Sequence, residues 1–198
     1  MGKGRLEAFT DGVVAIIITI MVLELKLPPT TDVPGLIAFM PGLLIYALSF
    51  LNVGIFWNNH HHMLHATREV NGTVLWANLF LLFWLSLVPF VIRWIGEDGI
   101  VPLPVASYGF VLTMSAICYY WLERAIIAVN RHNGFLAEAI GHEWKGLLSL
   151  GIYIAGMVLA FVSPWLALAL YFGNAMIWFA PDQRIERAGR TRRPEEEP

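Results

Sequence analysis

Six apolar runs, each near the roughly 20 residues a helix needs to cross a bilayer core, limit what this chain can become. They cover residues 9–27, 36–63, 74–95, 105–129, 147–162 and 165–179. Pro28-Pro29, Pro34-Gly35, Pro102 with Pro104, and the short Ser163-Pro164 link punctuate them. In lipid, a run must satisfy its backbone polar groups within itself, so the helix is the form open to it. Composition agrees: 14% of the 198 residues are charged and 57% hydrophobic, where a soluble domain carries about 25% charged residues. The expectation is an all-α, six-transmembrane-helix integral membrane protein over residues 1–181. Residues 182–198 are charged, Pro-ended and without an apolar face, and are expected to form a disordered cytoplasmic tail.

Lysine and arginine set the orientation of such a chain. With the N-terminus in the cytoplasm, all of the 13 basic residues except Lys26 and Arg93 fall on the inner side, and an even number of spans returns the C-terminus there. The placement expected is the cell membrane, multi-pass, with both termini cytoplasmic. Lys3 and Arg5 before an apolar stretch mimic a secretory leader, but Asp11 interrupts the stretch and LELKLPP is a poor cleavage site, so the segment reads as retained. A net charge of −2 says little about partners, and a single cysteine, Cys118, allows neither an internal disulfide nor a cysteine metal cluster. Trp76, Trp94, Trp165 and Trp178 fall near span ends, where interfacial anchors belong. No internal repeat of the kind that marks transporter halves stands out.

The first run, RLEAFTDGVVAIIITIMVLELK, is the most informative. At 100° per residue, Ile16, Thr19, Ile20 and Leu23 share an arc of roughly 100°, and Asp11 points away from it. Ordinary packing explains an apolar stripe. So does a pore wall: several copies around an axis would stack rings of Ile and Leu that gate by dewetting, with Thr19 hydroxyls as polar oxygens at that depth. Asp11, or Thr10 beside it, can serve as a helix N-cap. Alternatively, an ionisable group at the membrane boundary needs a partner and marks a functional site.

Candidate partners end the second run: Trp57, Asn58, Asn59, His60, His61, His62 and His65. On the expected topology they lie level with Asp11, so a latch between the first two helices is geometrically open. His61 and His65 are one turn apart and raise the question of zinc, but no HExxH or cysteine joins them. Glu123, Arg124, Arg131, Glu138, His142, Glu143 and Lys145 read as a solvated helix end and loop. No phosphate-binding glycine loop, nucleophile elbow or carbonyl-filter TVGYG is present. Nothing points to nucleic acid, and the short Arg-rich tail is a topology determinant.

Arg5-x-x-x-Phe9-Thr10-Asp11 resembles the RxxxFSD signature of the transmembrane protein 175 family, potassium channels of endolysosomes and prokaryotes. Trp57-x-x-His60 is similar to that family's Trp and His positions. Thr10 stands where the family has Ser, keeping the hydroxyl and adding a methyl. The resemblance implies a homotetramer with the first helix lining a central pore. It assigns the narrowest ring to Ile16, further rings to Ile20 and Leu23, and a potassium-favouring layer to Thr19. Arg5, Phe9, Thr10, Asp11, Trp57 and His60 would form the network that holds the pore helix.

The function expected is therefore a potassium-permeable cation channel with a hydrophobic constriction. It would be no enzyme, need no cofactor or metal beyond permeant K⁺, and pass other monovalent cations or protons as well. Two rivals remain open. One is a proton- or cation-coupled secondary transporter titrating Asp11 and His60. The other is an intramembrane metalloenzyme using His60, His61 and His65.

Overall fold

The computed structural model describes residues 2–130 and 143–179. They form helices α1 (Lys3–Leu23), α2 (Val33–Ala66), α3 (Gly72–Ser86), α4 (Val88–Asp98), α5 (Pro102–Val129), α6 (Glu143–Leu159) and α7 (Pro164–Phe179). The tail from 182, and Arg131, Glu138 and His142, lie outside the described residues. Among the described residues, four stretches are long and apolar enough to cross a membrane: Lys3–Leu23, Val33–His65, Gly72–Asp98 and Pro102–Val129. The helices of the last two expected spans have 17 and 16 residues, at the lower edge of the roughly 17–25 that a crossing takes.

Three boundaries depart from the sequence reading. The first helix starts at Lys3 and stops at Leu23, with Gly2 as its cap. Thr10 and Asp11 therefore lie two turns inside it and do not cap it. Hydropathy locates the bilayer, whereas a helix continues past it into water. The third span is two helices separated at Leu87. Pro89 in the first turn of α4 lacks an N–H, and its ring crowds the carbonyl of Leu85. Lys145, read as loop, lies in the first turn of α6.

Polar side chains secure the helix entries. Asp32 accepts from the Gly35 N–H at 3.0 Å and from the Thr30 hydroxyl. Asn71 accepts from the Val74 N–H at 3.0 Å. Both are Asx N-caps at the starts of apolar runs. Asn130 closes α5 and clamps the α2–α3 loop, accepting from the Arg68 and Glu69 N–H groups at 3.1 and 3.0 Å.

α5 is the hub, packed on α3, α4, α6 and α7, so its buried residues, such as Tyr108, Leu112, Leu122 and Ile126, occur all around it. α1 lies at the other side of the bundle against α2, α3 and α4. α2 is tied to the hub by a buried cluster: Ser49 and Asn52 meet the Tyr108 hydroxyl at 3.1 and 3.4 Å, and the Tyr153 hydroxyl donates to Asn52 Oδ1 at 3.1 Å. The Trp178 indole donates to Ser149 of α6 at 2.7 Å and ties the last two helices together.

Candidate functional site

α1 has two unlike faces. Leu6, Thr10, Val14, Ile17 and Met21, spaced four and three residues apart, are buried against the rest of the chain. Ile16, Ile20 and Leu23 are exposed by 60%, 40% and 76%, and Thr19 is exposed with them. The stripe is thus no part of this chain's own core. Arg5 and Phe9 continue the same side toward the N-terminus by the 100° rule. Both are exposed, and the Arg5 side chain makes no hydrogen bond or ion pair with another described residue.

The Thr19 hydroxyl donates to the Ala15 carbonyl at 2.7 Å. Its proton is thereby directed back into its own helix, and the oxygen's lone pairs are left as acceptors.

Behind the stripe, α1 is held to two neighbours. Trp57 Nε1 of α2 donates to Asp11 Oδ1 at 2.8 Å. Thr10, 2% exposed, accepts from Asn78 Nδ2 of α3 at 3.0 Å. The other end of the same amide, Oδ1, stands 2.7 Å from His60 Nε2. With Nδ2 committed as a donor, Oδ1 can only accept, so His60 Nε2 carries a proton. One amide, wholly buried, thus joins the first three helices.

His60 and Asp11 have different partners, so the titrating pair of the transporter reading is not a contact. Asn58, His62 and His65 are exposed. His61 Nδ1 stands 3.3 Å from Glu7 Oε1, and Lys3 Nζ donates to the His65 carbonyl at 2.9 Å. Among the described residues no three His, Cys, Asp or Glu side chains come together as a metal would require. The metalloenzyme reading has no such cluster to stand on.

Sequence reasoning missed Asn78, Glu7 and Lys3. Asn78 did carry a signal: an amide in the middle of GTVLWANLFLLFWLS must find partners in a membrane interior.

The family model for the endosomal/lysosomal potassium channel TMEM175 matches residues 5–89, which hold every residue of this site except Lys3. A potassium channel of Chryseobacterium is 50% identical over 188 residues, covering 95% of this chain and 98% of that protein. The chain belongs to the TMEM175 family. The crystal structure of a homologue, from Chamaesiphon minutus, of the lysosomal potassium-selective channel TMEM175 superposes with a TM-score of 0.78 at 27% identity, over 89% of this chain and 96% of that one. The human endosomal/lysosomal proton channel TMEM175 is 34% identical over 96 residues, 42% of this chain and 19% of its own length. TMEM175 proteins are channels and not enzymes, and with its apolar helices this member is a multi-pass membrane protein.

Proposed function

We propose that this TMEM175 protein is the subunit of a potassium-permeable cation channel in the cell membrane. Four copies surround an axis with α1 innermost. All six apolar segments cross the bilayer, both termini are cytoplasmic, and residues 1–181 make the channel domain. The observation that carries the reading is the division of α1: one face packed into its own chain, the other a bare stripe of Ile16, Ile20 and Leu23 with Thr19 among them.

Around a shared axis that stripe becomes stacked aliphatic rings, narrowest at Ile16. Water confined between such side chains finds no hydrogen-bonding partners, so a narrow ring empties and blocks ions until it widens. The Thr19 oxygens, with their protons turned to Ala15, offer acceptors to a cation at the one polar level within the rings. An aliphatic ring does not replace an ion's hydration shell, so discrimination of K⁺ from Na⁺ is weaker than in a carbonyl filter. Protons are a second permeant candidate, since mammalian relatives are named proton channels. The Trp57–Asp11 and Thr10–Asn78–His60 contacts brace α1 from behind and keep the stripe facing the axis.

Reconstituted protein should show a reversal potential set by the gradients of its permeant ions alone, and Ile16→Asn should raise the flux by wetting the ring. A flux driven uphill by a proton gradient would favour the coupled transporter. Unchanged conductance in Ile16→Asn would remove Ile16 as the constriction.

A further inference from the structure

Lys3, Glu7 and Asp11 lie four residues apart on α1, and Trp57, His61 and His65 lie four apart on α2. Their contacts run antiparallel in register. Lys3 reaches the His65 carbonyl at 2.9 Å, Glu7 stands 3.3 Å from His61, and Asp11 accepts from Trp57 at 2.8 Å. Each step of four toward the C-terminus on α1 is matched by a step of four toward the N-terminus on α2. Stacked rings join the rungs along α2, with Trp57 on His61 at 5.9 Å and His61 on His65 at 6.2 Å between centroids. On the helix wheel Glu7 lies roughly 180° from Ile16, so the ladder runs up the back of the stripe.

We propose that Lys3, Glu7 and His61 are positioning residues for the pore helix, and that the Glu7–His61 rung makes this positioning depend on pH. The proposal rests on the channel reading above. A ladder of three rungs fixes the rotation of α1 about its own axis, and that rotation decides which side chains border the conduit. The outer rungs, an ammonium on a carbonyl and an indole on a carboxylate, need no change of charge near neutrality. The middle rung is an ion pair only when the imidazole is protonated, and histidine is the side chain that changes charge between pH 5 and 8.

The charged and titratable groups on the elements around His61 are Glu7, Asp11 and Lys3 of α1, and His60, His62 and His65 of its own helix. The loop after α2 adds Arg68 and Glu69, and α5, which packs on α2 through Tyr119 and Phe56, adds Glu123 and Arg124. Among the described residues, Glu7 is the one at ion-pair distance. α3 and α7 carry no acidic, basic or histidine residue. The charged residues of α4 (Arg93, Glu97 and Asp98) lie at the opposite end of the bundle, where Arg93 meets Glu24 at the end of α1. A protonated His61 has the Glu7 carboxylate before it at 3.3 Å. With a charged imidazole the rung is an ion pair, and with a neutral one it is at most a hydrogen bond.

The test compares potassium flux at pH 6 and pH 8 in liposomes holding the full chain. Its variants are Glu7→Gln, His61→Gln, and the swapped pair Glu7→Lys with His61→Glu. Wild type should differ about twofold to fivefold between the two pH values, the change an exposed pair supports. Either single substitution should flatten that response. The swapped pair, charged at both pH values, should show the wild-type pH 6 flux at each. A wild-type pH response in either single variant would overturn the proposal.

Melting in detergent supplies a readout free of flux. The melting temperature of wild type relative to His61→Gln should rise between pH 8 and pH 6, and a gap indifferent to pH refutes the ladder. If wild type passes no potassium at all, the channel reading fails and melting alone still judges the rung.

Discussion

Asn78→Leu tests whether Thr10, Asn78 and His60 behave as one unit. Leucine fills roughly the space of the amide but can neither donate nor accept. His60, 2% exposed, would keep an Nε2–H with no acceptor, which costs about 1–3 kcal/mol. Thr10 would lose its donor at a cost of about 0.5–1.5 kcal/mol, because its hydroxyl can turn to a carbonyl of its own helix as that of Thr19 does. The single substitution should therefore remove about 2–4 kcal/mol of stability. His60→Leu orphans the amide oxygen instead and should be similarly damaging. Replacing both removes donor and acceptor together, so the double variant should be less destabilised than the two losses combined, with a coupling of about 1–3 kcal/mol. Denaturant titration of helical circular dichroism in detergent measures all four corners of the cycle. Losses that add to within about 0.5 kcal/mol would show that the two side chains act independently, and the shared-amide account would be wrong.

Thr19→Val keeps the side chain's shape and removes its oxygen. The potassium-over-sodium permeability ratio from bi-ionic potentials should fall several-fold, and an unaltered ratio removes Thr19 from selectivity. Gly109 of α5 and Gly156 of α6 clasp the Tyr171 ring so closely that a Cβ on either would run into it. Gly109→Ala and Gly156→Ala should each cost about 1–3 kcal/mol by overpacking, seen as a lower denaturation midpoint. The Thr30 hydroxyl, and after it the Gly35 N–H, hold the Asp32 carboxyl below its ordinary range. Its contribution is therefore present above the unfolded carboxylate pKa and lost as pH falls through the lower folded value. Protection against hydrogen exchange over the first turn of α2, taken relative to the intrinsic rate at each pH, should fall below about pH 4, and in Asp32→Ala it should be low at every pH.

What could be read in advance follows from how far each force reaches along the chain. Bilayer thickness acts on windows of about 20 residues, so the apolar segments, their punctuation and the stripe on α1 were visible in a linear string. The RxxxF[ST]D signature was visible for the same reason, and the family it pointed to is the family the chain belongs to. Hydropathy misplaced what it does not measure. It missed the extra turns of α1 before Phe9, and it read through the break at Leu87, although Pro89 was in plain view.

Trp57 was named as a candidate partner for Asp11 because both end their runs at the same level, but the level could not choose among seven side chains. That choice depends on how α1 and α2 are rotated against each other across a separation of 46 residues. Asn78 lay further from view, since its partner Thr10 is 68 residues away on a helix with which it shares no local pattern. Composition and periodicity alone determined that the chain enters a membrane as helices, and which face of the first helix is aliphatic. Only the packed bundle decided that this face is left uncovered by its own chain while a carboxylate, a hydroxyl and an imidazole behind it are tied down. Burial of a polar group is settled by the neighbours that arrive from elsewhere in the sequence, and their arrival is a property of the whole fold.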